Sequence, residues 1–435
     1  MRAPSARPID GVHANAASRD RVWAYIAYYG MSEFAQRVTR LVTTVLIARV
    51  LTPVELGLAA VAITCFELLR VAANSGVGQA VIRASDARLA GTCITAHRLM
   101  WIVCAGLALV QTTVGALVAQ WTGHDELFGM LALLSGVYLM MPAALIQTYL
   151  LQRNNAHAAI AKIATAQAVA DNALTIVLAL AGCGAWAIVI PKLATCPIWL
   201  FGMRLKMPWV ADRNAAVVPM GELLRFSMPV LAAETLTTVR LQCDKVLVGA
   251  ILGVEALGVY YFVFNAGIGL SLSLTGALSN ALYPHFAEAA SRPRELLQRL
   301  DRSLLRKAAP IAGIVLLQAA LAPLYVPLLF GAKWSASKWL VAILCASAST
   351  KLFADVVAQA LRAAGAVRRE VEGTLVITAL SLTALAAGAT QGLAEAVTLL
   401  ALVSGATQLG FATLARRSMT QSVGHGHGCV ETKAL

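Results

Sequence analysis

From residue 25 to residue 415 the chain is a succession of apolar runs, each separated from the next by no more than about two dozen residues. In lipid every backbone N–H and C=O must be satisfied within its own segment, so such runs fold as helices. About 20 apolar residues make one crossing. Twelve runs qualify: 25–49, 56–76, 97–119, 127–150, 158–180, 184–203, 226–251, 255–283, 307–329, 338–361, 371–388 and 393–415. The expected fold is an all-α polytopic membrane protein of about 12 transmembrane helices. Composition agrees, with 59% hydrophobic and 13% charged residues and a mean hydropathy of +0.71. A soluble domain is about half apolar and a quarter charged. The longest polar stretches are the first two dozen residues, Arg204–Arg225 and Pro284–Lys307, too short for a soluble body. The N-terminal stretch is basic but has no apolar core, so a cleavable signal is not expected and the first span would act as the signal.

The net charge of +13 would point to nucleic acid in a soluble chain. Here membrane sidedness explains it, because cytoplasmic loops collect Lys and Arg. Twenty-four basic residues fall on the side of the two termini, against Lys333 and Lys338 on the other. Both termini are therefore expected in the cytoplasm. The expected layout is a tail at 1–24, a six-helix lobe at 25–205, a linker at 206–225, a second lobe at 226–416 and a tail at 417–435. The eight cysteines make no CxxC pair and read as free, buried thiols. The tail sequence GHGHGC, from Gly424 to Cys429, offers three candidate ligands on a tail and is not read as a metal site. No cofactor and no catalytic residue is expected. There is no Walker A motif, so ATP does not drive the protein directly. The absence of a long extracytoplasmic loop counts against a membrane-embedded glycan enzyme.

Two segments interrupt the apolar pattern alike: LIARVLTPVELGLAAVA (Leu46–Ala62) and LVGAILGVEALGVYYFV (Leu247–Val263). Windows 37–60 and 238–261 overlay without gaps and share six residues, among them Leu51/Leu252, Leu56/Leu257 and Gly57/Gly258. Pro53 and Gly57 read as the residues that turn the chain between spans 1 and 2. Glu55 and Glu255 fall one position apart and read as solvated turn residues. Two parallel six-helix halves related by a pseudo-twofold are a transporter design, with the substrate path between them.

Charges inside the spans recur at helical spacing. Span 1 carries Glu33, Arg37 and Arg40 on one face; span 2 carries Glu67, Arg70 and Asn74; span 5 carries Gln167, Asp171 and Thr175. Span 6 holds Lys192 beside Pro191, span 7 holds Glu234, Arg240, Asp244 and Lys245, and span 10 holds Lys351 and Asp355. A charge at bilayer depth costs about 2.5–3.5 kcal/mol on insertion scales, so these side chains must face protein or water. Arg37–Glu33, Arg240–Asp244 and Lys351–Asp355 could each be a structural pair within one helix. The collection exceeds what architecture alone needs and reads as a wet, slightly basic lumen. Arg37, Arg40, Arg70, Lys192, Arg240, Lys245 and Lys351 are the candidate anion-binding groups, since a guanidinium grips two phosphate oxygens. Glu33, Glu67, Asp171, Glu234, Asp244 and Asp355 are the candidates for coupling to H+ or Na+. Residues 291–307 place four leucines opposite basic residues, as in an interfacial helix on anionic lipid. Trp334 and Trp339 fit an interfacial aromatic belt.

The motifs ARVLTPVELGLAAVAI and NSGVGQAVIR (Asn74–Arg83) resemble the first hairpin of polysaccharide transporters. In the second half LLRFSMPVLAAE (Leu223–Glu234), CDKVLVGAILGVEALGVYYFV and ALYPHFAEA (Ala281–Ala289) resemble the same family. These are the O-antigen and exopolysaccharide flippases of the multidrug/oligosaccharidyl-lipid/polysaccharide exporter superfamily. The resemblance implies two six-helix lobes around a V-shaped cavity and alternating access. It implies translocation of an undecaprenyl-diphosphate-linked repeat unit across the bacterial inner membrane, with a polysaccharide polymerase and co-polymerase as further partners. Longer relatives have fourteen spans; this chain shows twelve. A multidrug exporter of the same superfamily is the alternative, which the basic excess disfavours; a membrane-embedded enzyme of glycan assembly is another.

Overall fold

The computed structural model describes residues 36, 39–73, 76–211 and 216–424, with side chains except at 270–277, 279–281 and 422–424. Among the described residues there is no strand. The helices are α1 (39–50), α2 (Pro53–Ala73), α3 (Val77–Arg83), α4 (Asp86–Thr122), α5 (Glu126–Met140), α6 (Pro142–Arg153), α7 (His157–Leu180) and α8 (Trp186–Ala194). They continue as α9 (Cys196–Lys206), α10 (Met220–Ala287), α11 (Pro293–Ser303), α12 (Ala309–Tyr325), α13 (Lys338–Ala363), α14 (Val367–Ala389) and α15 (Leu393–Gly424).

Among the described residues nine helices are long and apolar enough to cross a membrane, or ten if α5 and α6, bent by 52° at Met141, are one crossing. Two features account for the difference from twelve. Span 1 enters the described residues only as α1. Spans 7 and 8 both lie in α10, whose 68 residues would run about 100 Å if straight, against about 30 Å of hydrocarbon. Gly253 breaks it, with φ 86° and ψ −179°, a conformation essentially reserved for glycine.

Contacts divide the chain into two compact units. The first holds the described residues up to Thr43 with Leu69–Leu117 and Phe128–Thr235. Its core is α5, where Met130, Leu131, Leu134 and Tyr138 are fully buried. The Tyr138 hydroxyl donates to Gln111 Oε1 at 2.8 Å, and Gln111 Nε2 donates to the Leu131 carbonyl at 3.2 Å. Both buried polar groups are thereby satisfied across α4 and α5. The chain before α10 lies along α4: Thr95 Oγ1 donates to the Val218 carbonyl at 2.7 Å, and Arg88 pairs with Glu222 at 2.8 Å.

The second unit holds Thr44–Leu68, Val118–Leu127 and Leu236–Leu435. In it α13 packs on α12 and α15, and α14 packs on α15. The leucine face of α11 docks on protein rather than lipid: Leu296, Leu297 and Leu300 are buried in one cluster with Val356, Val357, Leu361 and Met419. Trp334 is also not a belt residue. It is 1% exposed, stacks on Phe262 at 3.9 Å and donates its indole N–H to the Ala48 carbonyl at 2.7 Å. Trp339, by contrast, is 60% exposed. Beside Trp334, Lys333 donates to the carbonyls of Arg49 and Leu51 at 3.0 and 2.6 Å. In return Arg49 donates to the carbonyls of Leu328 and Leu329. Each helix end therefore supplies the cation that satisfies the other's last carbonyls.

The turn at Thr52 is a capping box. Thr52 N–H and Oγ1 both donate to Glu55 Oε2, at 2.7 and 2.9 Å, while Glu55 N–H donates back to Thr52 Oγ1 at 3.3 Å. Pro53 is the first residue of α2, where its missing N–H costs nothing. Gly57, expected to turn the chain, lies inside α2 instead. A carbon on Gly57 would sit 2.0 Å from the Val254 carbonyl oxygen, and one on Gly258 would sit 1.8 Å from that of Pro53. The sequence overlay equates Gly57 with Gly258 and Pro53 with Val254, so the contact is reciprocal, like one across a two-fold axis.

Candidate functional site

Of the thirteen intramembrane charges singled out above, Glu33 and Arg37 lie outside the described residues, as does Asn74. Arg40 is exposed on α1, and Glu67 and Arg70 are half-buried on α2.

In the first unit α7 and α8 bring Asp171 and Lys192 together, Nζ to Oδ2 at 2.6 Å, with the carboxylate side chain 16% and the lysine 37% exposed. Asp171 stands nine residues before the end of α7 and Lys192 six after the start of α8. At 1.5 Å per residue both lie roughly 10 Å from the turn joining these helices. Residue 36 reaches α7 through Gln36 Nε2, which donates to Thr165 Oγ1 at 2.6 Å. Glu234 is half-buried on α10, with no ion-pair partner among the described residues.

In the second unit Asp244 is the centre of a network. Tyr260, 1% exposed, donates its hydroxyl to Asp244 Oδ2 at 2.8 Å. Lys245 Nζ lies 3.3 Å from Asp244 Oδ1, donates to the Leu241 carbonyl at 3.2 Å and sits 4.6 Å over the Phe264 ring. Lys245 is 8% exposed, and a buried ammonium needs such partners. The helical spacing offered Arg240 to Asp244, yet that pair is not made. The Arg240 guanidinium is half-buried and has no hydrogen-bond or ion-pair partner among the described residues. On α13, Lys351 pairs with Asp355 at 2.5 Å, with side chains 39% and 27% exposed.

All three lysines of the set are therefore neutralised by carboxylates, and Arg240 is not. Sequence reasoning missed Tyr260, although the turn geometry contains the signal. Asp244 lies nine residues before Gly253 and Tyr260 seven after it, so a hairpin brings them level. It also missed Arg49, which stands at a helix end where a cation finds free carbonyls. Among the described residues no group of three or more His, Cys, Asp or Glu could hold a metal ion.

Opposite charges set inside apolar helices can bind a charged ligand. The family model described as "Polysaccharide biosynthesis protein" matches residues 46–338. The succinoglycan biosynthesis transport protein ExoT of Rhizobium meliloti (strain 1021) is 22% identical over 74% of this chain and 64% of its own length. The lipopolysaccharide biosynthesis protein WzxC of Escherichia coli (strain K12) is 21% identical over 70% of this chain and 62% of its own. The chain thus spans under two thirds of the length of these relatives. Among solved structures, an inward-facing multidrug resistance MATE family transporter of the MOP superfamily superposes with a TM-score of 0.69 at 14% identity, covering 90% of this chain and 96% of that one. Lipid II flippase MurJ, in an inward closed conformation, gives 0.65 at 12% identity, covering 91% and 90%. The fold is the one these transporters share. Because the family model covers most of the chain, from the first turn through the whole of α12, the chain belongs to the polysaccharide biosynthesis protein family.

Proposed function

We propose that the protein is a flippase that moves a polyprenyl-diphosphate-linked oligosaccharide across the bacterial inner membrane for exopolysaccharide or O-antigen assembly. The observation that carries this reading is the match to the polysaccharide biosynthesis family across residues 46–338. The fold alone does not choose a cargo, because a drug transporter and a lipid II flippase both share it. In this reading two six-helix lobes, 25–205 and 226–416, alternate access to a basic cavity, with both termini in the cytoplasm. Arg37, Arg40, Arg70 and Arg240 hold the diphosphate, while sugars are solvated by polar side chains and the polyprenyl tail stays in lipid. No covalent bond changes.

The lysine–carboxylate pairs supply a coupling device. While Asp171 is ionised it occupies Lys192, and Asp355 likewise occupies Lys351. A proton or Na+ arriving at the carboxylate frees the ammonium for phosphate, so cation and anion binding rise together. Glu33, Glu67, Glu234 and Asp244 are further acceptors. A polysaccharide polymerase and co-polymerase would take the delivered unit.

The test is transbilayer movement of a fluorescent polyprenyl-diphosphate oligosaccharide in proteoliposomes, read by its exposure to an impermeant quencher. Wild type should move it, Arg240→Ala and Arg37→Ala should each slow it at least tenfold, and its mass should not change. Wild-type rates in both variants would refute the basic-cavity assignment. Movement of ethidium without movement of the glycolipid would establish the multidrug reading, and a changed product mass would establish an enzyme.

A further inference from the structure

The end of the second unit that the proposed orientation puts in the cytoplasm carries a set of cations that translocation does not use. Residues Pro293–Phe330 run as one helical stretch of 38 residues, α11 and α12 with a π-turn at Leu304–Ala308 between them. At 1.5 Å per residue this is about 57 Å, nearly twice the hydrocarbon thickness, so its first part stands at headgroup depth. Because neighbouring helices alternate in direction, the same end receives the end of α13, the start of α14 and the end of α15.

Ion pairs fix these pieces into one platform. Arg416 on α15 holds Asp301 on α11 at 2.7 Å, and Arg362 on α13 holds Glu370 on α14. Arg299 holds Glu288 and Glu295, Arg292 also reaches Glu295, and Arg368 holds Glu372. Every acid of the platform among the described residues is thus taken. Six exposed cations remain, Arg294, Arg302, Arg306, Lys307, Arg369 and Arg417, with no acidic or hydrogen-bonding partner among the described residues. Between Arg302 and Arg306 the side chain of Leu305 is 73% exposed, while its neighbours Leu296, Leu297 and Leu300 are buried in the protein.

We infer that this platform binds the headgroups of anionic phospholipids in the leaflet at this end of the helices, with Leu305 dipping into the acyl boundary. The charges are spread over three helices rather than gathered into a pocket, which suits several separate headgroups better than one compact ligand. Their depth, set by helix length, is that of lipid phosphate. An acidic soluble protein would not require an apolar side chain between the cations.

The full chain, reconstituted in phosphatidylcholine, is probed with spin-labelled phosphatidylglycerol and spin-labelled phosphatidylcholine. The wild type should retain phosphatidylglycerol in preference, by about fivefold at each site engaged, since a cation near an anionic surface contributes about that factor. High salt should erase the preference. The combined variant Arg294→Gln, Arg302→Gln, Arg306→Gln, Lys307→Gln should lose most of it without a change in thermal midpoint, because none of these side chains has a partner among the described residues. Arg98→Gln, Arg204→Gln, Lys206→Gln, which removes charge from the first unit, should leave it. Equal retention of the two lipids by the wild type, as an acidic protein partner would give, overturns the inference. So does a four-site variant that keeps the preference.

Discussion

The reciprocal glycine contact makes a sharp prediction. In Gly57→Ala the new methyl meets the Val254 carbonyl oxygen at 2.0 Å, and in Gly258→Ala it meets the Pro53 carbonyl oxygen at 1.8 Å and Gly57 N at 2.8 Å. Contacts under 3.0 Å essentially do not occur, so the two turns must separate by about 1 Å in either variant. The obstacles are backbone atoms, and no rotamer relieves them. Overpacking of this kind costs about 1–3 kcal/mol, against about 0.5–1 kcal/mol gained when Ala replaces Gly in a helix. Each variant should therefore be less stable by about 1–2 kcal/mol. With an unfolding entropy of about 2.1 cal/mol/K per residue, that lowers the thermal midpoint of a chain this long by about 1–2 °C. Gly106→Ala on α4, where a methyl meets nothing within 4 Å, should shift it upward. The double variant should cost less than the sum of the singles by about 0.5 kcal/mol or more, because one separation serves both methyls. Differential scanning fluorimetry of the purified chain in detergent reads all four. Midpoints that rise in both single variants, or strict additivity, would refute the shared contact.

Trp334→Phe keeps the stack on Phe262 but orphans the Ala48 carbonyl, and should cost about 1–3 kcal/mol in the same thermal assay. Asp171→Asn and Lys192→Met should each destabilise the chain, by up to about 3 kcal/mol because the lysine is partly exposed, and the double variant should recover most of the loss in a thermodynamic cycle. Thr52→Ala removes the capping box and should cost about 1 kcal/mol by thermal midpoint.

What the sequence revealed was whatever lipid dictates. The lengths and spacing of the apolar runs locate the crossings, because a helix must reach across a fixed thickness. Glu55 could be set aside as chemistry, and it is a cap. Hidden were the features decided by a neighbour far along the chain. Leu296, Leu297 and Leu300 have the spacing of a lipid-facing stripe, and nothing local says that α13 and α15 arrive to cover them. Trp334 carries the composition of a belt residue, but its partner Ala48 is 286 positions away. The overlay of the two turns found Gly57 and Gly258 for the wrong reason. The turns themselves are made differently, by a Thr-Pro-Val-Glu cap in one half and by Gly253 in the other. What the halves share is the place where two backbones touch.

The intramembrane charges show why an i, i+4 spacing is not yet a pair. Arg240 and Asp244 have it, but the Tyr260 hydroxyl and Lys245 occupy the carboxylate. Tyr260 is held by burial, so it positions Asp244 rather than the reverse. A lysine buried in apolar surroundings tends to lose its proton, and a carboxylate within 3–4 Å prevents that. An arginine keeps its charge without help. Around α10 Lys245 is tied to Asp244 and Arg240 has no partner among the described residues, which is the arrangement the proposed phosphate contact needs. In the proposed mechanism Tyr260→Phe releases one oxygen of Asp244, and the neighbouring turn of helix offers it Arg240. Transport should fall several-fold although no charge has been altered. If Tyr260→Phe moves the glycolipid at the wild-type rate while Arg240→Ala does not, the guanidinium acts in transport but Tyr260 does not keep it open.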